Sequence, residues 1–244
     1  MLKKLYDKSK IWFAVVWIIA YCVLMSVGDS LSARIGVEKS ISLVIALLLS
    51  SILIVFLGKN KLFSSCGFCA PKISSNKMIY YIPVFVFLTA NFWFGVTLNY
   101  SVLETIFYIL TMLLVGLLEE VIFRAFLFNA MKVNNVKVAI IVSSLTFGIG
   151  HIINLINGSG MDLVSNLLQV VYAVAAGFMF VMIYHKTDSL IVCILAHGIF
   201  NSFSVFANQL EGKMTAQIIS CVILTVVAGG YAAYIAFTMR KKEN

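Results

Sequence analysis

The sequence predicts an all-α polytopic membrane protein: a bundle of about eight transmembrane helices with both termini in the cytoplasm. Three observations carry that expectation. Of 244 residues, 61% are hydrophobic and only 11% are charged, against roughly 25% charged in an ordinary soluble chain. The apolar residues fall in long runs, with mean hydropathy +1.02, where a soluble helix would carry only an apolar stripe. The basic residues gather in alternate connections between those runs.

A helix needs about 20 mostly apolar residues to cross roughly 30 Å of hydrocarbon. Runs of this kind lie near residues 11–28, 41–58, 79–98, 103–127, 138–156, 163–184, 190–208 and 216–239. The first follows a basic N-terminus, as in a signal peptide. It ends in LMSVGDS without a small-x-small cleavage site, so it reads as a retained helix. The second, ISLVIALLLSSILIVFL, and the last, from Ala216 to Met239, are the clearest, whereas the fifth and seventh carry His, Asn and Gly.

The positive-inside rule fixes the expected orientation. With the N-terminus inside, the inner segments hold Lys3, Lys4, Lys8, Lys10, Lys59, Lys61, Lys72, Lys77, Lys132, Lys137, Lys186, Arg240, Lys241 and Lys242. The outer loops hold Arg34, Lys39 and Lys213, which makes 14 against 3. Topology therefore accounts for the net charge of +8, and no nucleic-acid partner is expected; the lipid bilayer is the partner this composition implies. The longest loop, about 59–78, leaves no room for a soluble domain, so residues 1–244 read as a single integral membrane domain. No long internal repeat stands out, which argues against an inverted-repeat transporter.

Charges inside such a chain need a reason. The fourth run, TIFYILTMLLVGLLEEVIFRAFLF, holds Glu119, Glu120 and Arg124. At roughly 2.5–3.5 kcal/mol each near a helix centre, they cost about 7–10 kcal/mol. The nine Leu, Ile, Val and Phe residues from Ile106 to Leu118 return only about 3–5 kcal/mol. The charges must be paired, face a water-filled cavity, or lie near the cytoplasmic surface. Glu120 and Arg124 are four apart and share a face. Glu119 is turned about 100° away, with no cation at i±3 or i±4. A carboxylate in a poorly solvated place without a countercharge holds a proton more readily, which suits a general base.

The fifth run contributes His151, with Phe147 one turn earlier and Gly148 and Gly150 allowing close helix approach. The seventh contributes His197 and Asn201, four apart and able to address one point with two hydrogen-bond donors, as an oxyanion requires. Taken singly, each of these is equally a packing residue. In depth they fall between the midplane and the cytoplasmic face, so the expected site is water-containing and opens towards the cytoplasm.

At these residues the chain resembles the CAAX prenyl endopeptidase and bacteriocin-processing family of intramembrane proteases (CPBP, also called Abi). The family pattern E-E-x-x-x-R, F-x-x-x-H and H-x-x-x-N reads here as Glu119-Glu120-Val-Ile-Phe-Arg124, Phe147-Gly-Ile-Gly-His151 and His197-Gly-Ile-Phe-Asn201, within a motif-bearing core of about 103–206. The resemblance implies peptide-bond hydrolysis in the membrane. Glu119 and His151 would activate water, His197 and Asn201 would form the oxyanion hole, and Glu120, Arg124 and Phe147 would orient them. It leaves a zinc alternative, with Glu119, His151 and His197 as ligands and an open position. None of the motifs gives H-E-x-x-H, so a metal-free glutamate mechanism without cofactor is favoured.

The implied partner is a membrane-associated peptide or protein substrate: a bacteriocin, a signal-peptide precursor or a prenyl-type substrate. The short loops suggest a bacterial plasma-membrane protein. A non-proteolytic scaffold or bacteriocin-immunity protein, binding a peptide or a membrane sensor partner, is the alternative, and a proton-relay transporter is a third. Cys66-Gly-Phe-Cys69 lacks further ligands nearby for zinc and reads as a pair of reduced thiols. His185 reads as interfacial, and Ala173 with Gly177 as a helix contact.

Overall fold

The computed structural model describes residues 2–157, 160–208 and 213–240. Lys241 and Lys242 of the basic tail lie outside them, as does the side chain of Arg240. A short amphipathic helix, α1 (Leu2–Lys8), leads into α2 (Lys10–Ile35), which is capped at its start by the Ser9 side chain. Gly36, at φ 75°, closes α2 and turns the chain through residues 36–39 into α3 (Ser40–Lys59). Glycine suits that turn because the left-handed region costs it nothing.

The third expected span is not a continuous helix. Residues 75–81 form a tight 3-10 stretch, and Ile79, Tyr80 and Tyr81 take left-handed φ. Only α4 (Ile82–Leu88) is α-helical before a further 3-10 turn at Thr89–Phe92. The sequence explains the break: Pro83 forbids an earlier start, and Asn91, Gly95 and Asn99 are poor helix formers. The segment's far end instead ties to another helix. The Asn91 side chain donates to the Phe200 carbonyl at 2.7 Å, Asn99 donates to those of Val205 and Ala207, and the Thr97 N–H donates to Phe206.

The motif helix α5 (Val102–Glu120) opens with a reciprocal capping box between Ser101 and Glu104. It passes into a π-helical stretch, Val121–Phe128, and ends in α6 (Asn129–Lys132). Helix α7 (Val136–Gly150) is capped by Asn135 and α8 (Leu163–Thr187) by Asp162. Helices α9 (Ile191–Phe203) and α10 (Met214–Arg240) complete the bundle. Among the described residues, six helices are long and apolar enough to cross a membrane, and Ile191–Phe206 is a shorter apolar one. Against an expectation of about eight full spans, the third is thus broken and the seventh is short. The Leu, Ile and Val side chains exposed along the helices form the surface a bilayer would cover. The chain is a multi-pass membrane protein.

Within the bundle α5 packs on α9, α7 on α8, and α8 on α10, while α3 covers the other side of α5 and α2 packs on α3 and on Val121–Phe128. Glycines set the closest approaches. A Cβ on Gly116 would lie 2.6 Å from the Gly198 backbone nitrogen, and one on Gly148 would lie 2.6 Å from that of Val174. A Cβ on Gly177 would meet the Ser144 carbonyl at 2.9 Å. Tightly approached backbones of this kind give helices in lipid the dispersion contact that a hydrophobic effect does not supply there.

The bundle has two distinct ends. One, the basic end, gathers residues 2–10, 59–81, 129–137 and 184–190, joined by the Lys72 N–H to Thr187 carbonyl bond and by Lys186 Nζ to the Lys77 carbonyl. The other gathers residues 36–39, 93–101, 151–157 and 204–208, where the Glu38 N–H meets Glu104 at 3.0 Å and the Ser30 hydroxyl donates to the Asn157 carbonyl at 3.1 Å.

Candidate active site

Glu119 and Glu120 close the regular part of α5, 17 residues past its start, about 25 Å along the axis. Both are buried, as is Arg124 in the π-helical stretch that follows. Glu120 Oε1 lies 3.1 Å from an Arg124 terminal nitrogen, giving the ion pair expected from the i, i+4 spacing. Arg124 is held further by its own surroundings. Its guanidinium sits 4.2 Å over the Phe147 ring and 5.6 Å from that of Phe180, and Nη2 donates to the Gly177 carbonyl at 3.4 Å. Gly177 therefore packs against α7 and also contacts the charge cluster.

His197 enters from α9 between the two carboxylates. Its Nδ1 lies 2.9 Å from Glu120 Oε1, and its Nε2 lies 3.4 Å from Glu119 Oε2. The Phe180 ring stacks on the imidazole with centroids 5.4 Å apart. Since a carboxylate accepts, Nδ1 carries a proton, and Nε2 is the nitrogen directed at Glu119. Glu119 receives a second partner that the motifs do not contain: the Tyr21 hydroxyl of α2 donates to Oε1 at 2.6 Å. Among the described residues Glu119 Oε2 has no hydrogen-bond partner.

His151 terminates α7, where the chain tightens into a 3-10 turn, His151–Leu155. Its Nδ1 lies 3.1 Å from the Phe147 carbonyl. A carbonyl can only accept, so the proton sits on Nδ1 and Nε2 keeps the lone pair. Asn166 of α8 anchors the turn by donating to the His151 carbonyl at 2.9 Å. Phe147 is the hub of the arrangement, with its ring 5.3 Å from His151, 5.4 Å from His197 and 5.4 Å from Phe123.

A cavity of about 320 Å³ lies over these groups, and Glu119, His151, Asn201, Tyr21 and Phe147 all line it. His197, Glu120 and Arg124 stand behind the wall, with His197 only 3% exposed. The structure thus brings all seven motif residues together but sorts them into a cavity-facing set and a buried supporting set. Among the described residues, no group of three His, Cys, Asp or Glu side chains is arranged to hold a metal ion.

The cavity opens towards the end opposite the basic loops, whereas the sequence reading expects an opening towards the cytoplasm. From Glu119 its lining runs back up α5 to Tyr108 and out along α2 to Asp29 and Lys39. Among the described residues, none of the loops at the basic end lines it. Depth estimated from span boundaries concerns only how far along each helix the charges sit. It carries no information on which way the surrounding helices part.

Residues 101–203 match the family described as Rce1-like, type II CAAX prenyl endopeptidase. Over this Rce1-like domain the chain is similar to the CPBP/CAAX proteases. The match runs from the N-cap of α5 to the last residue of α9, and so encloses every motif residue. No curated protein matches the chain. Tyr21, on α2, lies outside the Rce1-like domain, and nothing in the sequence separates it from the other aromatic residues of an apolar helix.

Proposed function

We propose that this protein is an intramembrane endopeptidase that hydrolyses peptide bonds of membrane-associated proteins or peptides by a glutamate mechanism. The observation that carries this reading is the meeting of Glu119, His151 and Asn201 on one cavity within the bundle, with His197 directly behind Glu119.

A water between Glu119 and the lone-pair nitrogen of His151 would give a proton to Glu119 as its oxygen attacks the scissile carbonyl. The new C–O bond places negative charge on the carbonyl oxygen, which Asn201 Nδ2 would stabilise as a donor from the cavity wall; a His197 with protons on both ring nitrogens would add Nε2–H as the second donor. Collapse of the tetrahedral intermediate breaks the C–N bond, and Glu119 returns its proton to the departing amine. Tyr21 and His197 keep Glu119 aimed at the cavity, while Glu120, Arg124 and Phe147 fix His197. This mechanism is favoured over zinc because none of the motifs supplies the two closely spaced histidines of H-E-x-x-H.

The substrate class follows from the site's position inside an apolar bundle: a peptide that partitions into the membrane. Bacteriocin and signal-peptide precursors and prenyl-type C-termini all meet that description, and a bacterial plasma membrane is the proposed location. The test is an alanine panel at Glu119, His151, His197 and Asn201, purified in detergent and incubated with membrane-derived peptides. Loss of products at all four positions, with helix content kept, supports the reading. Unchanged cleavage at Glu119→Ala refutes it.

A further inference from the structure

We infer that the catalytic cavity is entered from the non-cytoplasmic side of the membrane, so that its substrates are exported peptides or peptides of the outer leaflet. This rests on the protease reading above and on two observations independent of it.

The first is the shape of the cavity. Its wall begins at Glu119 and Phe123 and extends in one direction only. Tyr108 and Glu119 are eleven residues apart on α5, a rise of about 16 Å. Along α2 the lining runs from Tyr21 to Asp29, and it finishes on the Lys39 turn and the segment that follows α7. All of these belong to the end opposite the basic loops. The rim there is polar. Lys39 Nζ lies 2.9 Å from Asp29 and 5.7 Å from the centre of the Tyr108 ring, and Asn154 and Gln169 bond each other at 2.9 Å. A polar rim on an apolar bundle is a water-facing opening, because a rim buried in hydrocarbon would leave these groups without solvent.

The second observation is the charge asymmetry of the two ends. Eleven lysines with described positions lie at the basic end, against Arg34, Lys39 and Lys213 at the other. The structure places every one of those eleven on the same side, with no loop dissenting. The connection at 93–101, reached by the broken third segment, lies at the opposite end and carries no basic residue. The basic end is therefore cytoplasmic by the positive-inside rule, and the mouth faces away from the cytoplasm. A scissile bond then arrives from outside, in a chain already translocated or resident in the outer leaflet. The reaction that supplies such a substrate is secretion or membrane insertion, and the products leave on the same side.

The experiment is thiol labelling in spheroplasts expressing the full chain, read against the parent chain with its native cysteines. Single cysteines are placed at Ile156→Cys, exposed at the mouth end, at Val133→Cys, exposed at the basic end, and at Ser26→Cys on the cavity wall. A membrane-impermeant maleimide tests the two surface positions, and the small anionic reagent 2-sulfonatoethyl methanethiosulfonate tests the cavity. The proposal expects Ile156→Cys and Ser26→Cys to react in intact spheroplasts, and Val133→Cys only after lysis. Reaction of Val133→Cys but not Ile156→Cys in intact spheroplasts overturns the orientation. Reaction of Ser26→Cys only after lysis, with Ile156→Cys reacting outside, overturns the direction of the mouth. Labelling requires no catalysis, so loss of the protease reading would leave these results interpretable by themselves.

Discussion

Replacing Arg124 by Met removes the one full cation from a site holding two buried carboxylates. Both Arg124 and Glu120 are inaccessible to solvent, at 3.1 Å separation. Removing one partner of such a pair costs about 3–5 kcal/mol, because the remaining charge is left in a medium that cannot solvate it. Here the residual compensation is His197 Nδ1, 2.9 Å from the same Glu120 oxygen, and the guanidinium's contact with Phe147 at 4.2 Å is lost as well. The expected loss therefore stays within that range, near 4 kcal/mol. For a chain of this size it lowers the unfolding midpoint by roughly 10 °C. The double variant Glu120→Gln/Arg124→Met removes both charges and should recover at least half of the loss, since a neutral pair has no ion to desolvate. Thermal unfolding in one detergent, followed by helix signal, measures all three proteins. A single variant within about 0.5 kcal/mol of wild type, a typical surface effect, would refute the reasoning, as would a double variant no more stable than the single.

Three further outcomes follow from the same geometry. Gly116→Ala places a methyl 2.6 Å from the Gly198 nitrogen and 2.7 Å from its Cα, so α5 and α9 must part. Misplacement approaching 1 Å costs about 100-fold in rate, and peptide cleavage should fall by that order while helix content persists. Tyr21→Phe deletes the 2.6 Å bond to Glu119 Oε1. Hydrogen bonds to charged groups contribute about 1.5–3 kcal/mol, so stability should fall by that amount and turnover by about tenfold or more, read from an unfolding curve and a progress curve on one preparation. Burial pushes the Cys66 thiol up to about 11. The thiol stays protonated below that pH, so maleimide trapping at pH 8 should leave Cys66 unmodified in the folded protein and modify it in denaturant. Rapid modification of the folded protein would reopen a redox role for the Cys66–Cys69 pair.

Much of the site is legible in the sequence because membrane burial makes charge conspicuous. Glu119, Glu120, Arg124, His151, His197 and Asn201 stand out in apolar runs, and the i, i+4 spacing is enough to pair Glu120 with Arg124. Helical geometry leaves Glu119 without a partner on its own helix. A partner search along one helix cannot see α9, and His197 reaches both carboxylates from there. Tyr21 and Asn166 are hidden for the converse reason: a tyrosine and an asparagine among many carry no positional signal until tertiary packing brings them to Glu119 and to the His151 turn. The π-helical stretch around Arg124 follows from packing and is absent from any periodicity. Hydropathy misreads the third span because it counts apolar residues regardless of conformation, whereas Pro83 and the left-handed turn at 79–81 decide the backbone.

The most direct test of the central claim is hydrolysis in heavy-oxygen water. Purified wild type and Glu119→Gln are incubated with a membrane-peptide library in H2-18-O, and the products are read by mass spectrometry. A glutamate mechanism predicts cleaved peptides from wild type whose new C-terminal carboxylate carries one heavy oxygen, and no products above background from Glu119→Gln with an unchanged unfolding midpoint. Labelled products from both proteins would contradict the role of Glu119 as the base that activates water.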